Sequence, residues 1–92
     1  MTIDITKIQE RFPALERPVV FLDNPGGTQI VGDSIDRIKN YLIECNANFH
    51  GVFASSRESD AILDEARQAA ADFLNAKLPQ EIVFGPNMTS LT

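Results

Sequence analysis

Chemistry in this chain has to come from a few separated places. The first is the stretch Gly85 to Thr92, GPNMTSLT, which follows a short apolar run, EIVF, at Glu81 to Phe84. A strand, a Gly-Pro turn and a capping Asn87 announce a helix starting near Met88. The first N–H groups of a helix have no partner inside it. They carry partial positive charge from the aligned peptide dipoles. A turn that leads from a strand into such a terminus can hold a phosphate. Here the donors would be the backbone N–H groups of Met88, Thr89 and Ser90, with the Thr89 hydroxyl as a further donor. Gly85 frees the turn, and Pro86 stiffens it without offering an N–H. The same residues also suit plain helix capping by Asn87 and Thr89, and both roles stay open at this level. No lysine follows in the Walker position, so a triphosphate loop is not supported.

Other reactive types are sparse. His50 lies between Phe49 and Gly51 in a segment without period. It suits either a packed polar residue or a group close to a ligand ring, since loops often carry function. Lys7, Lys39 and Lys77 read as surface lysines. Cys45 falls on the apolar stripe of an expected helix, where cysteines are small, buried and inert. Asp23 can accept hydrogen bonds from the turn that follows it. Asp60, Asp64, Glu65 and Asp72 fall off the apolar stripe of their helix and read as its solvated face. No His or Cys cluster supports a metal site, and no catalytic residue is assigned.

The elements that would position these groups follow from the apolar pattern. Asp4 caps a short helix with Ile5, Ile8 and Phe12 on one stripe, and Pro13 ends it. Val19 to Leu22 reads as a strand that stops at a turn, DNPGG, Asp23 to Gly27. Gly26 and Gly27 would supply unusual backbone angles there, or let another group approach closely. Asp33 or Ser34 caps a second helix, with Ile35, Ile38, Tyr41, Leu42 and Cys45 on its buried face. Asn46 to Ser56 reads as a loop. Ser55 and Glu58 form a capping box that opens a third helix. Its stripe is Ile62, Leu63, Ala66, Ala69, Ala70, Phe73 and Leu74, and Asn75 and Pro79 end it. Glu81 to Phe84 is a second short strand. The chain stops one turn into the helix that Asn87 begins, and this suggests truncation.

The totals set limits. The 92 residues suit one compact domain at most. A formal charge of −5 gives no general pull toward nucleic acid or an anionic membrane. An anion would therefore be held by local features. With one cysteine no disulfide forms within the chain. No stretch approaches the roughly 20 apolar residues of a membrane helix. The first ten residues lack a signal pattern, so a reducing, cytoplasmic setting is the default.

Three ordered segments resemble one family. FPALERPVVFLDNPGGTQIV (Phe12 to Val31) looks like the opening of class V aminotransferase-type proteins. NANFHGVFASSR (Asn46 to Arg57) resembles the histidine-bearing loop of cysteine desulfurases and selenocysteine lyases. EIVFGPNMTSLT (Glu81 to Thr92) resembles their cofactor-phosphate loop. The resemblance runs from about Ile5 onward and is nearest to a desulfurase-like subgroup with an Asn-Pro-Gly-Gly-Thr turn.

That resemblance implies an α/β fold, the N-terminal part of the fold-type I architecture, helix-rich with short strands and incomplete as given. Residues 1–32 would belong to a small domain or the edge of the active site, and residues 33–92 would start the large cofactor-binding domain. It implies pyridoxal 5′-phosphate held as a Schiff base by a lysine far downstream, an amino-acid substrate and a homodimer. By position Asn87, Met88 and Thr89 match the cofactor-phosphate turn. Gly26 matches a small residue near the substrate, and His50 the histidine at the active-site mouth. Ser90 stands where many desulfurases carry Glu, and Gly51 where Arg often follows the histidine. These departures bear on the reaction and leave the cofactor reading intact. Two readings compete with the enzyme: a stand-alone helical binding module or inactive remnant, and a turn that binds a simple phosphate metabolite.

Overall fold

A computed structural model describes all residues, Met1–Thr92, and divides them into two units, Met1–Glu44 and Cys45–Thr92. Four α-helices are present: α1 (Ile5–Gln9), α2 (Gly32–Glu44), α3 (Ala54–Leu74) and α4 (Met88–Leu91). Short 3₁₀ turns lie at Pro13–Glu16, Asn24–Gly26 and Pro79–Glu81.

There is no strand, which corrects the two expected ones. Val19 to Leu22 and Glu81 to Phe84 are apolar enough for strands, but a strand exists only when a neighbour accepts and donates along its backbone. Neither segment meets such a neighbour, and Glu81 closes a 3₁₀ turn instead. The chain is helix-rich without the sheet that the α/β expectation called for.

In the first unit, the Asp4 carboxylate caps α1 by accepting the Lys7 N–H at 3.2 Å, as the sequence suggests. Pro13 then turns the chain into a 3₁₀ turn. Neither Asp33 nor Ser34 caps α2, which starts one residue earlier. The Ser34 and Ile35 N–H groups donate to the Val31 carbonyl. Two contacts tie this helix start to the end of α1. The Gly32 N–H donates to the Arg11 carbonyl at 2.7 Å, and the Arg11 guanidinium pairs with Asp33 at 2.5 Å. Both side chains of that pair are well exposed, so it contributes little to stability. The expected apolar face of α2 stays largely in solvent: Ile35, Ile38 and Leu42 are all exposed.

The second unit is built on α3. Its start differs from the expectation, because no capping box forms at Ser55 and Glu58. The helix begins at Ala54, and Phe53 ahead of it provides no side-chain cap. Its end agrees. Asn75 takes the left-handed conformation, φ 57°, and the Ala76 N–H reaches back to the Ala71 carbonyl at 2.9 Å. That closure satisfies a carbonyl the helix would otherwise leave open. The Pro79–Glu81 turn packs on α3, and the Glu81 carboxylate accepts the Leu78 N–H at 3.1 Å.

What is buried departs most from the pattern. The buried apolar residues are Cys45 and Ala71, at 6% and 1% exposure. Beside them Ser56 and Ser59 are fully buried on α3. Phe73, on the expected stripe, is 88% exposed, and Leu74 is exposed too. Cys45 sits just past the end of α2, not on its stripe. The face of α3 that is covered is thus partly polar, and hydrogen bonds rather than apolar area define it. The Ser59 hydroxyl donates to the Cys45 carbonyl at 2.5 Å in a buried setting.

Ser59→Ala would remove the buried hydroxyl that donates to that carbonyl. We expect a loss of about 1–3 kcal/mol in chemical denaturation. An unchanged midpoint would show that the hydroxyl is not needed to hold the chain entering the unit.

Candidate functional site

The turn at the C-terminal end of the second unit forms as the sequence suggests. Asn87 is extended, φ −168° and ψ 168°, and its Oδ1 accepts the Ser90 N–H at 2.8 Å. This is an N-cap in the ordinary sense. It also removes one of the three expected donors, since the Ser90 N–H is already taken. The Met88 and Thr89 N–H groups have no partner within the chain. The Thr89 carbonyl accepts the Thr92 hydroxyl at 3.3 Å, and the Thr89 hydroxyl has no hydrogen-bond partner within the chain. Gly85 matters for packing here: a Cβ on it would stand 2.6 Å from Leu91 Cδ2, so its absence lets Leu91 fold back over the turn.

Two amides and one hydroxyl, exposed and close in sequence, suit an anion with several oxygens. From Ile82 to Thr92 there is no charged side chain, so none within this segment repels or neutralises one. The fit covers the anionic end of a ligand such as pyridoxal phosphate. The hydrogen bonds at this turn stay within Asn87–Thr92 and do not reach His50.

His50 lies in the loop before α3, and that loop is lashed to the helix. Its backbone is left-handed, φ 61°, a conformation that non-glycine residues seldom take. The His50 N–H donates to both Asp60 carboxylate oxygens, at 3.1 and 3.2 Å. Next to it the Gly51 N–H donates to the Ser56 hydroxyl at 2.6 Å. That hydroxyl in turn donates to the Asn48 carbonyl. The Arg57 guanidinium donates to the Val52 carbonyl at 2.6 Å. Gly51 is required by closeness: a Cβ there would meet the Phe53 ring at 2.7 Å and Ser56 Oγ at 2.9 Å. The His50 side chain is 89% exposed, with the Phe49 ring tilted beside it at a centroid separation of 6.4 Å.

Sequence reasoning missed Asp60 and Ser56 as organisers of this loop. Asp60 lies off the apolar stripe, as expected, but its side chain is only 29% exposed and is engaged with His50. Ser56 carried one possible signal, a small hydroxyl just after a loop rich in unpaired backbone groups.

Gly26 stands in the first unit, in the 3₁₀ turn Asn24–Gly26. Neither it nor Gly27 uses a positive φ, so the expected backbone freedom is not what the turn draws on. A Cβ on Gly26 would lie 2.5 Å from Asp23 Oδ2, the end of an exposed side chain that is free to turn aside. The Asp23 side chain caps nothing, and its backbone carbonyl accepts the Gly26 N–H at 3.1 Å.

The remaining groups are placed simply. Lys7, Lys39 and Lys77 are exposed, and Cys45 is buried and forms no disulfide. No group of three or more His, Cys, Asp or Glu side chains stands together as a metal site would require. No helix is long and apolar enough to cross a membrane. In the first unit an open groove of about 500 Å³ runs past Glu10, Leu15, Glu16 and Phe21, and none of the expected site residues lines it.

The chain belongs to the class V aminotransferase family, whose pattern matches residues 20–91. It is 38% identical to an aminotransferase-like protein, FGM3, of Gibberella zeae, over 98% of this chain and 23% of that protein. It is 34% identical to a probable cysteine desulfurase of Streptomyces coelicolor, over 92% of this chain and 22% of that protein. A cysteine desulfurase of Synechococcus elongatus is 35% identical over 88% of this chain and 14% of its own length. The chain thus spans less than a quarter of the length of these relatives. No solved structure matches it.

Asn87→Ala tests the terminal turn. Removing the cap should speed hydrogen exchange of the Ser90 amide by about fivefold, the worth of one N-cap. The Met88 and Thr89 amides should exchange as before. Equal acceleration at all three would mean that the cap does not set them apart.

Proposed function

We propose that this chain is the N-terminal part of a pyridoxal-phosphate-dependent enzyme acting on an amino acid, and that the turn at Asn87, Met88 and Thr89 helps to hold the cofactor phosphate. Membership of the class V family supports the class of enzyme. The observation that carries the role of the turn is the pair of partnerless N–H groups at Met88 and Thr89, set apart by the Asn87 cap.

When bound, pyridoxal phosphate supplies an electron sink for bonds at the α-carbon of an amine. The residues of this chain have a simpler task. The Met88 and Thr89 N–H groups and the Thr89 hydroxyl donate to phosphate oxygens, and Asn87 keeps the turn in shape. His50, held from α3, stands on the substrate side. Gly26, with no side chain of its own, adds no bulk on the substrate side. The three lysines of the chain are exposed, and the covalent anchor for the cofactor is assigned to the rest of the protein.

In this reading the protein has a fold-type I architecture. Residues 1–32 join the small domain or the edge of the active site, and residues 33–92 open the large domain. The assembly is a homodimer in the cytoplasm. The large apolar side chains left in solvent, Leu22 and Phe73 among them, fit a chain that is covered by other parts of such an assembly. The desulfurase names of relatives make desulfuration one candidate reaction beside transamination and elimination.

Thr89→Val in the full-length protein tests this. Removing a donor to a charged phosphate should weaken pyridoxal phosphate binding by about tenfold or more. Titration followed by cofactor absorbance measures it, with excess inorganic phosphate as competitor. Unchanged affinity, with phosphate failing to compete, would contradict the role of the turn.

A further inference from the structure

We infer that Asp60 is the positioning residue for His50: one carboxylate holds the backbone of His50 and also selects the tautomer of its ring, presenting Nε2 outward as an acceptor. The inference rests on the substrate-side reading of His50 given above, and it names the kind of group that His50 would meet.

A non-glycine residue in the left-handed region is sterically disfavoured and persists where its surroundings hold it. At His50 the holding group is the Asp60 carboxylate, which takes the backbone N–H on both oxygens at 3.1 and 3.2 Å. Asp60 is itself well fixed. It lies in the second turn of α3, next to the buried Ser59 and one turn beyond the buried Ser56. Both serines bind carbonyls of the chain that leads into α3, Ser59 that of Cys45 and Ser56 that of Asn48. The loop and the carboxylate therefore move as one piece.

The same carboxylate faces the ring. Asp60 Oδ1 lies 3.7 Å from His50 Nδ1. That exceeds a direct hydrogen bond, so the coupling is electrostatic. A neutral imidazole carries a single N–H, and an ionised carboxylate can only accept. The tautomer with hydrogen on Nδ1 is thus favoured, and Nε2 keeps its lone pair. The ring is 89% exposed while Asp60 is 29% exposed, so the partner is anchored and Nε2 is accessible. An outward Nε2 lone pair suits a ligand donor such as a protonated amine or a hydroxyl. It does not suit a carboxylate.

The test uses the native protein labelled with ¹⁵N on histidine, with His50 assigned by the signals lost in His50→Gln. Ring ¹⁵N shifts are read above pH about 8, where imidazole is ordinarily neutral. In the wild type the Nδ1–H form should be the major tautomer. Asp60→Asn keeps an acceptor for the His50 N–H but removes the charge. It should preserve slow exchange of the His50 amide while the Nδ1–H to Nε2–H ratio falls severalfold. Asp60→Ala removes both effects, and the His50 amide should exchange about tenfold faster. Circular dichroism confirms that α3 remains helical in each variant. An Asp60→Asn protein with the wild-type tautomer ratio overturns the inference, as does an Asp60→Ala protein with an unaltered His50 amide. The substrate-side reading fails separately, if His50→Gln leaves amino-acid binding by the holoenzyme unchanged.

Discussion

Backbone N–H and C=O groups buried away from water need partners, and in this chain side chains partner backbone groups in the exposed turns as well as in the buried part. No β-ladder is present to do so. Ser59 takes up the Cys45 carbonyl, and Ser56 bridges the Gly51 N–H and the Asn48 carbonyl. Asp60 takes the His50 N–H, and Asn87 takes the Ser90 N–H. The loop before α3 and the turn before α4 owe their shapes to these bonds. The same accounting identifies the candidate site, because it shows which amides in the terminal turn are already spent and which remain.

Apolar packing plays a smaller part. With Cys45 and Ala71 as the buried apolar residues, the second unit is organised around two buried hydroxyls. A buried hydroxyl with partners on both sides fixes geometry, because leaving either partner unmet is costly. This explains how a loop with a left-handed histidine can be well defined beside a helix whose Phe73 and Leu74 face solvent. It also gives Gly51 a steric role, since the room beside Ser56 Oγ and the Phe53 ring admits no Cβ.

The parts legible in the sequence were those written in local chemistry. Asp4 at the start of α1, Asn75 at the end of α3 and Asn87 at the start of α4 each act through a bond or angle set within a few residues. That the two expected strands do not form was not legible, because Val19 to Leu22 and Glu81 to Phe84 carry apolar residues but no information about a neighbour to pair with. The stripe on α3 misled for a related reason. Apolar spacing says which residues could be buried together, while burial depends on what arrives to cover them, and here that is the loop held by Ser56 and Ser59. The roles of Ser56 and Asp60 were hidden because a hydroxyl or carboxylate on a helix gives no sign of the distant backbone group it will meet. The family was legible from the ordered set of three segments, and its match over residues 20–91 takes in all or most of each.

The central claim is that the terminal turn offers the Met88 and Thr89 amides to an anionic cofactor group while Asn87 holds back that of Ser90. The most direct measurement is amide hydrogen exchange across Gly85–Thr92 in the full-length protein, with and without saturating pyridoxal phosphate. The account expects the cofactor to slow exchange at Met88 and Thr89 and to leave Ser90 nearly unchanged. Slowing confined to Ser90, or none at any of the three, would contradict it.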